Sequence, residues 1–104
     1  MKIIKELVEM IEEELEGAEN YALCALKYKE EHPALANVLY EISTQEMRHV
    51  TILHDEVTKV IKAHRDKHGA PPVAMQSVYD WQHEKQIEQA KEIKILQNQF
   101  RENS

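Results

Sequence analysis

Glu14, Glu46 and His49 are side chains of the kinds that hold a divalent metal, and they stand where the surrounding pattern calls for apolar residues. Leu7, Ile11, Glu14, Ala18, Tyr21, Ala25 and Tyr28 recur at steps of three and four, the period of one helix face, and only Glu14 among them is charged. Glu46 and His49 interrupt a second such stripe between Ile42 and Leu53. They make a Glu-x-x-His step, and positions i and i+3 of a helix are neighbours whose side chains can reach one ion together. A carboxylate pointing into a core is normally protonated, paired or metal-bound, because its desolvation is otherwise too costly. Two carboxylates and an imidazole converging from two packed helices therefore predict a cation between them. This oxygen and nitrogen donor set suits iron or manganese, whereas structural zinc prefers thiolates. The alternative is a carboxylate-histidine network that only fixes the register of a bundle.

The elements that would position these residues are long helices. Apart from Gly17, which a helical pattern tolerates, Gly and Pro occur only at Pro33 and in the run Gly69-Ala70-Pro71-Pro72. These breaks predict helices over about 3–31, 34–67 and 73–101, with Pro33 in a first turn and Gly69 as a left-handed terminator. The third carries Met75, Val78, Tyr79, Ile87, Ala90, Ile93, Leu96 and Phe100, a thinner apolar set, and is expected to be less completely buried. Rods of roughly 30 residues, about 45 Å long, pack side by side, and a short connection makes the first two an antiparallel hairpin. A hairpin and one half-apolar helix leave surface to bury, so a homo-oligomer built across a twofold axis is expected. The fold class is all-α: one domain over 1–104, a long hairpin plus a third helix, its four-helix core completed by a second copy.

Glu14-Leu15-Glu16-Gly17-Ala18-Glu19-Asn20-Tyr21 has a Glu-x6-Tyr spacing, and Glu46-Met47-Arg48-His49 follows on the next helix. With these paired motifs the chain resembles the ferritin-like superfamily, in particular rubrerythrin-type hairpins and the short encapsulated ferritins with one hairpin per chain. The resemblance covers roughly residues 5–63. It implies Glu14 as a terminal carboxylate, Glu46 as a bridging carboxylate, His49 as the imidazole ligand and Tyr21 as their neighbour. Bundle di-metal sites take a Glu from each of two helices and a Glu-x-x-His from each of the other two, so two hairpins would supply the set. The implied function is a di-iron carboxylate protein that binds Fe2+ and oxidises it with O2 or peroxide, Glu14, Glu46 and His49 carrying the chemistry; manganese and zinc are compatible with the same donors. A non-catalytic metal-binding protein and a helical adaptor are the rivals. Two features of the family are missing: a second pair of ligand helices in the same chain, and the four-cysteine electron-transfer module of rubrerythrins. No cargo tag of the encapsulated kind is recognisable in residues 97–104.

Other residues rank behind this trio. Asp80-Trp81-Gln82-His83-Glu84 offers His83 and Glu84 as further metal ligands, or else a polar face with Trp81 as a packing anchor. Glu56 extends the second stripe as an iron entry path or accessory site, or else as a solvated residue; Glu12, Glu13, Glu16 and Glu19 form an acidic surface that could attract Fe2+ or simply be solvated; and His32, His54, His64 and His68 read as surface residues. Cys24 reads as a small buried hydrophobe; a single cysteine excludes an internal disulfide framework and a four-cysteine cluster. The formal charge of -6 argues against nucleic acid and favours cations. No run of about 18 apolar residues is present, and the charged start Met1-Lys2-Ile3-Ile4-Lys5-Glu6 lacks the pattern of a secretory signal. The expected location is the cytoplasm or the inside of a protein compartment, without membrane partners.

Overall fold

A computed structural model describes residues 2–102. They form three helices, α1 (Lys2–Tyr28), α2 (Pro33–His68) and α3 (Val73–Glu102), which take in 92% of these described residues. The rod measures 55 × 18 × 18 Å. Its long dimension is the length of α2, whose 36 residues span about 54 Å at 1.5 Å per residue. The radius of gyration, 16.6 Å, exceeds the ~13 Å of a compact globule of this length because three parallel rods have no layer above or below them.

The first helix stops at Tyr28, three residues before the boundary expected from the apolar pattern. Pro33 decides this. It starts α2, and the residue before a proline is pushed out of the helical region, so His32 takes φ -137° and ψ 67°. The turn is closed by the His32 N–H donating to the Tyr28 carbonyl at 2.8 Å and the Ala36 N–H donating to His32 at 2.9 Å. At the far end Gly69 has φ 79°, a left-handed conformation that glycine adopts without steric cost, and its N–H closes the last turn of α2 on the Arg65 carbonyl at 2.8 Å. Arg65, Lys67 and His68 lie in that turn, where positive charge complements the helix dipole.

Ile4, Ile11, Leu15, Ala18, Ala22 and Ala25 form the buried stripe of α1, the most deeply packed of the three helices. Ile11, Leu15, Ala18 and Ile93 make one core cluster, covered by Met47, Val50, Leu53, Val57 and Ala90. Ala25, Ala36 and Phe100 make a second at the turn end, with Leu39 and Tyr40 against it. Each large side chain fully removed from water contributes about 1.5–3 kcal/mol. The small residues of α1 let α2 approach closely: Ser43, fully buried, donates to the Ala18 carbonyl at 2.7 Å and accepts from Gln97 Nε2 at 2.9 Å. That hydroxyl joins all three helices.

The third helix runs alongside α1 in the same direction. Gln86 faces the Val8 carbonyl at 3.5 Å, Gln89 donates to Glu19 at 3.2 Å, and the Lys29 ammonium donates to the Phe100 carbonyl. Only Ile93 and Phe100 of α3 are buried, in line with its sparse apolar pattern. Trp81 is 59% exposed and is no packing anchor; Lys85 instead lies over its ring, 4.3 Å from the centroid. No helix among the described residues is long and apolar enough to cross a membrane.

Candidate metal half-site on the hairpin

Glu14 on α1 and Glu46 and His49 on α2 come together midway along the hairpin. His49 Nδ1 stands 3.4 Å from Glu14 Oε2, a long contact between groups 55% and 31% exposed, which contributes little to stability. Glu46 completes the group from the same turn of α2 as His49. Burial pushes its carboxyl above the ordinary value, the charge of Glu14 pushes it further, and His49 draws it down by less. Ionised Glu46 is therefore under-compensated by its surroundings, an environment that favours a bound cation or proton.

Gly17 makes the room. A Cβ added there would fall 2.9 Å from Cδ and 3.1 Å from Oε1 of Glu46, and closer still to Oε2. The carboxylate thus lies directly against the α1 backbone, one turn after Glu14. Gly17 is the site residue that the sequence pattern missed. Its signal was a glycine inside a 27-residue helix, where it costs about 1 kcal/mol relative to alanine.

The trio sits on the side of the hairpin away from α3. The α3 contacts fall on Val8, Glu19, Ser43 and His54. Angularly offset from these are Met10, Glu14, Gly17 and Tyr21 of α1 and Leu35, Val38, Ile42 and His49 of α2. Met10 is 48%, Leu35 47% and Val38 55% exposed, so this face of the hairpin is uncovered and carries apolar side chains towards both ends from the site. Among the described residues no three His, Cys, Asp or Glu side chains of one chain are grouped tightly enough to hold a metal ion. One hairpin therefore offers converging ligands and no closed cage.

The remaining candidates lie elsewhere. His83 stacks on His54, with ring centroids 5.1 Å apart, and Glu84 is exposed beside Trp81, so neither joins Glu14 and His49. Glu56 is exposed and pairs with Lys59 at 3.3 Å, the solvated arrangement. Glu12, Glu13 and Glu16 are exposed, and Glu19 accepts from Gln89. Cys24 is exposed, contrary to the apolar neighbourhood expected for it. All four histidines expected as inert surface groups have ring partners: His32 beside Tyr28 at 6.0 Å, His54 on His83, and His64 against His68 at 4.8 Å.

Compared with known proteins, the chain matches no protein family, no curated protein and no solved structure.

Proposed function

We propose that two copies pack hairpin to hairpin and together bind a pair of divalent metals, with Fe2+ oxidation by O2 or peroxide as the activity. The observation that carries the reading is the Glu46 carboxylate laid on Gly17, within electrostatic reach of both Glu14 and His49. A helix that gives up a Cβ to admit an uncompensated carboxylate has an arrangement suited to a cation. A register device would need no such space.

The donor set fits iron: hard carboxylate oxygens and an imidazole from one chain, doubled by the second, leaving open positions for an oxidant. Bound there, the metal pair would supply the electrons passed to O2 or peroxide. The chain's own groups do the rest. Glu46, lying between the two helices, would be the shared ligand of the pair, with Glu14 and His49 as end ligands. Four carboxylates in the doubled site offset positive charge as iron becomes ferric. Ala18, Ile42 and Leu53 would limit water only once a second copy covers the trio, since His49 is 55% exposed in one chain.

Self-association has its own support. The accessible surface, 7316 Å², exceeds the ~6,100 Å² of a compact monomer of 12.2 kDa. Part of the excess is the apolar strip around the trio, and covering it with its own copy closes the half-site. The test is metal content and solution mass of protein from iron-supplemented cells, followed by anaerobic Fe2+ loading and exposure to O2. A dimer or larger assembly with near-stoichiometric iron, oxidising Fe2+ in the parent and losing both properties in Glu46→Ala and His49→Ala, supports the reading. Stoichiometric binding without turnover makes it a carrier, and a protein that takes up no Fe2+ is a helical adaptor.

A further inference from the structure

We propose that His54 of α2 and His83 of α3 form a second metal site, a cross-helix imidazole pair for Zn2+ or a similar late first-row divalent cation. The two rings lie 5.1 Å apart at an interplanar angle of 23°, and they border a cavity of about 270 Å³ between the three helices. Asp80 borders the same cavity one turn before His83, outside the grouping that three ligands of one ion would need. Its Oδ1 accepts from Gln76 Nε2 at 2.8 Å, and Gln76 Oε1 accepts from Arg65 Nη2 at 2.8 Å. The carboxylate is thereby held at the cavity, where its charge favours a cation beside the imidazole pair. Ile4, Val8 and Ile11 line the inner wall, and the space admits an ion with several waters at about 30 Å³ each.

The chemistry differs from that of the hairpin trio. Two imidazoles and at most one carboxylate select zinc, nickel or copper over manganese and magnesium, whereas two carboxylates per imidazole favour harder ions. The consequence is mechanical. The first half of α3 is thinly attached, with Val73 84%, Val78 54% and Trp81 59% exposed. An ion shared by His54 and His83 ties that half to α2.

Calorimetric titration of the metal-free full chain with Zn2+ alone tests this, with hydrogen exchange of residues 75–90 as second readout. In a Glu46→Ala background, which takes the hairpin trio out of the titration, we expect a binding event weakened at least tenfold by His54→Ala and by His83→Ala alike, and unchanged within twofold by His64→Ala. We also expect Zn2+ to slow exchange in α3 of the parent and of neither histidine variant. Zn2+ affinity that survives both substitutions, falls with only one, or falls with His64→Ala overturns the shared site. Both rings are exposed, so the helical circular dichroism should persist; if an alanine variant unfolds, the glutamine variant gives the same readout. Iron oxidation plays no part in these readouts, so the hairpin reading stands or falls separately.

Discussion

Glu46 occupies the space that a side chain on Gly17 would fill: an alanine Cβ there would lie 2.9 Å from the Glu46 Cδ. The clash is with the far end of a flexible side chain, so the carboxylate can move and the backbones need not. Fold and site therefore respond differently to the same substitution.

Gly17→Ala should leave the protein folded and shift its stability by no more than about 1 kcal/mol, towards greater stability, because alanine is the better helix former. Fe2+ oxidation should fall at least tenfold as Glu46 is displaced. Thermal unfolding and oxidation rates measured on the same preparation check this; undiminished oxidation would show that the carboxylate needs no such cradle.

The raised carboxyl of Glu46 has a definite sign in pH. Burial and Glu14 make the folded state bind that proton more tightly than the unfolded chain, so stability falls as pH rises from the ordinary value of 4.5 through the raised one. Glu46→Gln should accordingly raise the urea midpoint at about pH 7 and lose that advantage below about pH 4, where the parent is protonated in both states. Equal midpoints at neutral pH would mean that the charge costs nothing.

Ser43→Ala should destabilise by about 1–3 kcal/mol, since it removes the hydroxyl that joins the Ala18 carbonyl to Gln97 and leaves both without that partner in a dry site. Urea unfolding followed by circular dichroism measures it. Gln97→Ala should cost less, because Ser43 keeps its donor bond to Ala18.

Val38→Asp places a charge on the apolar strip around the trio without touching a ligand; Val38 is 55% exposed, so the monomer should fold as before. Sedimentation should show a shift from assembly to monomer, and iron oxidation should be lost with it. A parent that is already monomeric, or a variant that stays assembled, would move the contact to another face.

The sequence by itself determined the helices and their rough ends. The recurrence of Ile4, Ile11, Leu15 and Ala18 at helical spacing defines a buried face wherever the helix packs, and Pro33, Gly69 and Pro71 act locally through φ and the missing N–H. The same periodicity put Glu14, Glu46 and His49 in line with the apolar stripes, but the structure leaves them at the open edge of the hairpin, His49 55% exposed, and not in the core. A face is a property of one helix. What lies opposite a face is not. The stacking of His54 on His83, the exposure of Cys24 and Trp81, and the seating of Glu46 on Gly17 depend on the rotation and height at which three separate rods meet. Those are set by the whole interface at once, by small residues such as Ala18 and Ala22 that let the helices close in and by Ser43 and Gln97 that pin their register. Only the tertiary structure decided them.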